Sequence, residues 1–246
     1  MKDGIYIGVE AHGHLWNGTT PRVSALEFSF PIQSLPELSL VDKVNRMQVR
    51  PVWRITISDL ESEQKYFLHA GWPVFVNALD PLRDTLILSL ERSSEYDAKH
   101  LDLLREIVEA LFPLRCFLEF EHHSWKHAAN VLRGAKSLVV QHDAPELPGI
   151  IKDISVPGKH ALLRLLGRNK RTWFEHNPSE RFAYQYSQTE LSSIAKRIYA
   201  LREESDSVTI IVATHPPQSA MEAANSFASV VSSMGVYISL SCHSRE

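Results

Sequence analysis

Eight short runs of β-branched and apolar residues, separated by longer amphipathic segments, constrain the fold of this chain more than any other sequence feature. The runs cover residues 4–9, 23–30, 52–57, 85–90, 115–120, 136–141, 160–166 and 208–213. Strands that alternate with helices in this way form parallel sheets, and eight such units close into a (β/α)8 barrel. We therefore predict an α/β fold, a single TIM-type barrel domain over residues 1–246 that need not be regular. A doubly wound open sheet is the competing arrangement.

Helix start and stop signals lie between these runs. Residues 34–37 (SLPE) and 187–190 (SQTE) have the spacing of capping boxes, and the second predicts a helix that continues to about residue 204. Apolar residues recur with helical period over 97–111, and further helices are predicted over 124–134 and 216–235. The eight barrel strands do not include the C-terminal segment. Residues 236–241 of that segment predict an extra strand.

Composition narrows the class of protein. A chain of 246 residues with 44% hydrophobic and 22% charged content and a net charge of −3 is typical of a globular protein and excludes a disordered one. The net charge of −3 also excludes a surface that is basic overall and binds nucleic acid, but it does not exclude a local basic patch. Cys116 and Cys242 lie far apart, which predicts a reducing compartment. The first residues lack an apolar signal-peptide core and no run is long enough to cross a membrane, so we expect a cytoplasmic protein with no membrane partner.

Alternation within the strands predicts which side chains face the barrel axis. In the second, fifth and seventh runs one set of alternating apolar residues suits packing against helices, which leaves Glu27, Glu119 and Arg164 on the inner face. One interpretation is a structural ion-pair network that fills the barrel. The other is a ligand-orienting or acid–base site near the C-terminal ends of the strands, with the pKa of one carboxylate raised.

Histidine is unusually abundant, with 12 residues in the chain. Six of them follow predicted strands at one end of the barrel: His12, His14, His122, His123, His142 and His215. A divalent metal held by histidines and by Glu27, Glu119 or Asp143 is one interpretation, but no spacing typical of metal ligands occurs, and the cofactor stays unknown. The preferred interpretation is proton transfer by His122 paired with Asp143.

A basic segment follows the seventh run, at residues 164–171 (RLLGRNKR). Aromatic and basic residues come after it: Trp173, Phe174, Arg181, Tyr184 and Tyr186. The pattern predicts an anion clamp of Arg164 and Arg168, in the loop where barrels often bind phosphate. Tyr186 and Trp125 complete the predicted ligand-binding set, although Trp125 also suits packing at the start of its helix. Contact with single-stranded nucleic acid and a plain solvated loop are the alternatives.

Residues 118–125 (LEFEHHSW) resemble the Glu-Phe-Arg-His-x-Ser-Trp signature of the YecE-like family, the domain of unknown function 72. Four further segments resemble motifs of that family in the same order: 26–28, 142–143, 163–168 and 184–191. The resemblance covers most of the chain and is strongest from about residue 85 to 200. It implies a TIM-type barrel with a pocket but no particular reaction, because the activity of the family is not established.

The chain departs from the family pattern at the predicted mouth of the barrel. Residues 8–12 replace Gly-Thr-Ser-Gly-Trp, 89–91 replace Gln-x-Pro, 212–214 replace Phe-Asn-Asn, and Leu166 replaces a histidine. If those polar groups are catalytic in the family, the resemblance implies that activity in this chain is altered or absent.

These observations predict a protein that binds or acts on a small anionic ligand, bearing phosphate or carboxylate, at the C-terminal mouth of the barrel. Whether it is an enzyme is left open. The predicted acid–base residues are Glu27, Glu119, His122 and Asp143, and the predicted ligand-binding residues are Arg164, Arg168, Tyr186 and Trp125. One alternative is a metal-assisted phosphodiesterase or sugar-phosphate enzyme with nucleic-acid contact. The other is a non-catalytic binding module that has lost its relatives' activity.

Overall fold

Parallel strands dominate the computed structural model, which describes residues 5–11, 23–128, 138–150, 159–235 and 238. Within these ranges the strands are β1 (Ile5–Glu10), β2 (Ala25–Pro31), β3 (Arg50–Ile57), β4 (Thr85–Leu90), β5 (Arg115–Phe120), β6 (Leu138–Val139), β7 (Gln141–Asp143), β8 (His160–Leu165) and β9 (Ser207–Val212). They pair in the order β6-β5-β4-β3-β2-β1-β9-β8-β7. Only Val140 separates β6 from β7, so the two ends of this row are consecutive in the chain. The strands therefore form a nearly closed barrel of eight parallel positions, and the predicted TIM-type fold is confirmed.

Apolar side chains form two layers because successive residues of a strand point to opposite faces. Leu26, Leu118 and Leu163 belong to the cluster between the barrel and its helices, whereas Ala25 and Phe117 belong to the cluster inside the barrel. The alternation predicted for the second, fifth and seventh runs is thus observed, and it directs the polar residues between these positions toward the axis.

Helices follow the strands around the outside of the barrel. The α-helices in the described part of the chain are α1 (Leu38–Asn45), α2 (Leu60–Glu63), α3 (Gly71–Asn77), α4 (Ala98–Ala110), α5 (Pro178–Arg181), α6 (Gln188–Glu204) and α7 (Pro217–Ser233). Short 3-10 helices occupy Gln64–Leu68 and His123–His127. Among the described residues, no helix is both long and apolar enough to cross a membrane.

The sequence signals for helix starts are confirmed at one position and wrong at two others. The capping box of Ser187 and Glu190 is present and begins α6. The one predicted at residues 34–37 is wrong, because Ser34 belongs to a turn in which its N–H donates to the Pro31 carbonyl, and Glu37 itself precedes α1 without a side-chain cap. Ser124 does not begin its helix either, since His122 is the cap of the 3-10 helix and its ring accepts from the Ser124 N–H.

The predicted C-terminal strand lies mostly outside the described residues. Ile238 forms an isolated parallel bridge with Ile5, beside β1. The predicted helix end at Gly134 also lies outside the described ranges.

Candidate functional site

A buried arginine joins two carboxylates inside the barrel. Arg164, on β8, donates from Nη2 and Nε to the two carboxylate oxygens of Glu27 on β2, at 2.7 and 2.9 Å. Its Nη1 donates to Oε1 of Glu119 on β5 at 2.7 Å. Both carboxylates are fully buried and Arg164 is 4% exposed. The three residues that strand alternation placed on the inner face are therefore in direct contact.

A second arginine extends this group toward the mouth of the barrel. Arg54 on β3 donates from Nε to Oε2 of Glu119 at 2.6 Å and from Nη2 to the Ser89 hydroxyl at 2.7 Å. Its Nη2 also lies 3.6 Å from Oε1 of Glu121. We call Glu27, Arg54, Glu119 and Arg164 the interior network.

The two carboxylates of the interior network have opposite pKa shifts. Burial raises the pKa of Glu119, but Arg164, Arg54 and the hydrogen bond with His142 outweigh burial and hold this pKa well below its usual range. Burial also raises the pKa of Glu27, and because the negative charges of Glu10 and Glu119 oppose the effect of Arg164, that pKa stays raised. Of the two, Glu119 is thus the carboxylate that its surroundings hold ionised more strongly.

His142 connects the interior network to the surface. This residue lies in β7, and its Nε2 is 2.7 Å from Oε1 of Glu119. The side chain is nearly buried, at 6% exposure, yet it contributes to the walls of two cavities. It is therefore a residue through which the buried carboxylate can act on a ligand.

The first of these cavities, which we call the mouth cavity, has a volume of about 190 Å³. It opens where the loops after β4, β5, β7 and β8 meet, at the C-terminal end of the barrel. Its polar wall consists of Arg92, Glu121, His122, His123, His142 and Arg181. Its apolar wall consists of Phe120, Ala144, Pro148, Ile150, Leu166, Trp173 and Phe174, with Gly149 at the edge. The basic side chains on the polar wall outnumber the single carboxylate.

Two arginines in this wall rest on aromatic rings of the loop after β8. Arg92, from the loop after β4, lies 5.0 Å from the centre of the Phe174 ring, and its Nη2 donates to the Trp173 carbonyl at 3.4 Å. Arg181 lies 5.0 Å from the ring of Trp173 and donates to Oε2 of Glu121 at 3.0 Å. Partial burial and the positive charge of Arg181 lower the pKa of Arg92. Two positive charges therefore lie in the wall of the same open cavity, with Glu121 as the opposing negative charge.

Asp143 and Arg168 form a separate cluster on the outer side of β7. Arg168 donates to both oxygens of Asp143, at 2.7 and 2.9 Å, and to Glu190 at 3.4 Å. The Tyr186 hydroxyl donates to Asp143 at 2.9 Å and accepts from the Gly167 N–H at 2.9 Å. Burial raises the pKa of Tyr186 well above its usual range, and the adjacent Asp143 carboxylate adds to the effect. Asp143 and Arg168 line the second cavity, which has a volume of about 500 Å³. Asp143, Arg168 and Tyr186 do not line the mouth cavity.

His122 and Asp143, predicted to act as a pair, have different partners. The Nδ1 of His122 lies 2.7 Å from the Ser124 hydroxyl, and its Nε2 lies 3.9 Å from Glu95. Asp143 is bound by Arg168 and Tyr186 instead. The structure thus does not support this pairing, because His122 follows β5 and Asp143 ends β7 with its side chain on the outer face.

Trp125 was also predicted to bind ligand, and its position argues against this. Its side chain is fully buried and stacks on Phe120 with ring centres 4.6 Å apart. Its indole N–H donates to the Ser94 carbonyl at 2.8 Å. The residue packs between β5 and the helical layer, as its alternative interpretation implied.

The alternative of a metal centre has no ligand set in the described ranges. Within them, no three side chains of His, Cys, Asp or Glu are grouped so that they could hold a metal ion. His12 and His14, which were part of that expectation, lie outside the described residues.

Sequence reasoning missed the position of Arg92 entirely and noted Arg181 only as a member of a basic and aromatic segment. Neither belongs to a motif, and their approach depends on how two loops meet over the barrel. The only signal in the sequence was that Arg92 follows the fourth strand by two residues, at the end of a barrel where sites occur.

The fold and the mouth cavity together define a TIM-type barrel with a charged interior and a basic, aromatic-lined mouth. The chain belongs to the DUF72 family, also called YecE-like, because the family model described as "Protein of unknown function DUF72" matches residues 47–239. No curated protein matches the chain.

Solved structures of DUF72 family proteins are similar to this chain in fold. One from Thermotoga maritima MSB8 has a TM-score of 0.74 at 20% identity, covering 94% of this chain and all of the other. One from Enterococcus faecalis V583 has a TM-score of 0.76 at 16% identity, covering 93% of this chain and 95% of the other. At these identities the likeness extends to the fold alone.

Proposed function

We propose that the mouth cavity binds a small anionic ligand and that Arg92 and Arg181 hold its negative group. The observation that supports this most is that two arginines line the wall of the same open cavity. Arg181 has Glu121 as a carboxylate partner, whereas the hydrogen bond of Arg92 goes to a neutral carbonyl 3.4 Å away. Partial burial is the main cause of the lowered pKa of Arg92 and the positive charge of Arg181 adds to it, so an anion between the two arginines would offset both effects.

The arginines predicted from the sequence suit this role less well. Arg164 is nearly buried and uses three of its nitrogens on Glu27 and Glu119. Arg168 uses its nitrogens on Asp143 and Glu190. With three nitrogens each already bound to carboxylates, these two guanidinium groups give little attraction to a further anion, whereas Arg181 gives only Nη2 to a carboxylate. In this proposal Arg164 and Glu27 lie behind the cavity wall and do not contact the ligand. Arg92 replaces Arg164 as the residue that contacts the anion.

Glu119 keeps a place in the proposal as a positioning residue. It is fully buried and does not line the cavity, so its effect on a ligand passes through His142, whose ring it contacts at 2.7 Å. The acid–base roles suggested for Glu27 and Glu119 become indirect ones.

The test is calorimetric titration of the full chain with inorganic phosphate and, separately, with benzoate. Arg92→Gln should weaken binding of the anion by about tenfold or more, since a hydrogen bond between charged groups contributes about 1.5–3 kcal/mol. Arg181→Gln should act in the same direction. Arg105→Gln, a charge-matched change on α4 beside Asp102, is the control and should bind like the unmodified protein. Equal affinities for Arg92→Gln and Arg105→Gln, or no binding of either anion, would contradict the proposal.

A further inference from the structure

The contact between His142 and Glu119 fixes which nitrogen of the imidazole carries the proton. Glu119 is fully buried, and Arg54 and Arg164 hold it ionised, so it can only accept a hydrogen bond. Its Oε1 lies 2.7 Å from Nε2 of His142, so in neutral imidazole Nε2 carries the hydrogen and Nδ1 carries the lone pair.

The second ring nitrogen is available. Among the described residues, Nδ1 of His142 has no hydrogen-bond partner. The atom is also not fully buried, so a ligand can reach it. His142 lines the mouth cavity, whose wall also includes Arg92 and Arg181. A carboxylate that orients a histidine in this way is the usual arrangement around a general base.

The shape of the cavity indicates the class of molecule that this base would meet. The volume of about 190 Å³ equals that of about six water molecules in the liquid, at ~30 Å³ each. A cavity of this size suits a molecule with a single ring or two fused rings. Phe120, Trp173 and Phe174 offer flat apolar surface, and Arg92 and Arg181 can stabilise a negative charge that develops on oxygen.

We propose that His142 is a general base, positioned by Glu119, that removes a proton from a small planar substrate whose negative charge then develops on an oxygen facing Arg92 and Arg181. This inference rests on the proposed function only for the position of the bound molecule. In this proposal His142 takes the proton and Glu119 orients the imidazole ring. Replacing His142 should therefore lower the rate more than replacing Glu119.

A planar probe with an acidic C–H is 5-nitrobenzisoxazole. His142 would take the proton from its ring carbon, the electrons of that C–H bond would form the second π bond of a nitrile, and the N–O bond would break. The oxygen keeps the electron pair of the broken bond as a phenolate, and His142 later returns its proton to water. No oxidant, reductant or co-reactant is required.

The experiment measures the release of the coloured phenolate by the full chain at pH 7. We expect His142→Asn to lower the rate about a hundredfold, the lower part of the range for general bases. His69→Asn, an exposed histidine that does not line the cavity, is the matched control and should keep the full rate. A rate for His142→Asn that equals that of the control, or an unmodified protein no faster than buffer, would overturn the inference.

The positioning role of Glu119 has a spectroscopic readout. In the unmodified protein the ¹⁵N spectrum of His142 should show the tautomer protonated at Nε2, and Glu119→Gln should mix the tautomers and lower the elimination rate about tenfold. A spectrum that is the same in both proteins would remove Glu119 from the proposal, as would one that shows the proton at Nδ1.

The two proposals can fail separately. If the elimination depends on His142 while benzoate and phosphate do not bind, the anion site is wrong and the base remains. If these anions bind with the expected dependence on Arg92 and no elimination occurs, the base is wrong and the anion site remains.

Discussion

Arg164 donates two hydrogen bonds to Glu27, at 2.7 and 2.9 Å, in the interior of the barrel, where Glu27 is fully buried and Arg164 is nearly so. The two residues are 137 positions apart in the chain, on β8 and β2. A buried pair of this kind stabilises a protein less than its geometry suggests, because both charges lose their hydration. Its loss on one side, however, leaves a buried charge without a partner.

We predict that Arg164→Met lowers the free energy of unfolding by about 3–5 kcal/mol, because Glu27 then remains buried and unpaired. Denaturant titration measures the change. Glu27→Met combined with Arg164→Met should recover part of the loss, since both charges are then removed. A double variant that is as unstable as the sum of the two single ones would contradict this account of the pair.

The pKa of Glu119 predicts how its contribution varies with pH. Its pKa in the folded protein lies well below the ordinary value of 4.5, so its contribution to stability is present above pH 4.5 and is lost as pH falls toward the folded value. The difference in unfolding free energy between the unmodified protein and Glu119→Gln should therefore be larger at pH 7 than at pH 3. Urea titrations at both pH values test this. Glu109→Gln, an exposed change on α4, should show little difference at either pH.

Asp84 should respond to pH in the opposite direction. It is fully buried beside the start of β4, and burial raises its pKa from 3.8 to about 6, although Oδ2 accepts from the Asp80 N–H at 2.8 Å. A raised pKa gives a contribution that is complete below pH 3.8 and is lost as pH rises through about 6. From pH 4 to pH 7, Asp84→Asn should therefore gain about 2 kcal/mol of stability relative to the unmodified protein. The exposed change Asp102→Asn is the control, and a pH-independent effect of Asp84→Asn would contradict the prediction.

The position of Trp125 predicts a loss of stability with no effect on ligands. Trp125→Phe removes the hydrogen bond to the Ser94 carbonyl and should cost about 1 kcal/mol, while the stacked contact with Phe120 is largely kept. Thermal or chemical denaturation measures the cost, and calorimetry with benzoate should give an unchanged affinity. A weaker affinity at unchanged stability would return Trp125 to the binding site.

The barrel could be predicted because each of its strands carries its own local signal. β-Branched runs of the right length and the alternation within them depend on neighbouring residues only, so they placed Glu27, Glu119 and Arg164 on one interior before any contact was known. Signals at helix ends were less reliable. Ser34 and Glu37 have the spacing of a capping box, but a turn after β2 uses Ser34 first.

The candidate site could be predicted only in part because its walls come from loops. Arg92 and Arg181 are 89 positions apart, and their loops meet over the mouth of the barrel through tertiary packing that has no period in the sequence. The histidine surplus pointed to the end of the barrel where the mouth cavity lies, yet the residue in contact with Glu119 is His142 and not His122. That contact depends on which face of β7 His142 occupies, and β7 has only three residues.

The segment after β8, which includes α5, brings Trp173, Phe174 and Arg181 to the mouth cavity, whereas the strands supply the buried ion pairs. The proposed function therefore assigns chemical support and ligand selection to different parts of the chain. Under that proposal, a relative with a segment of another length or sequence after β8 would recognise a different molecule, with its barrel and its buried charges left as they are.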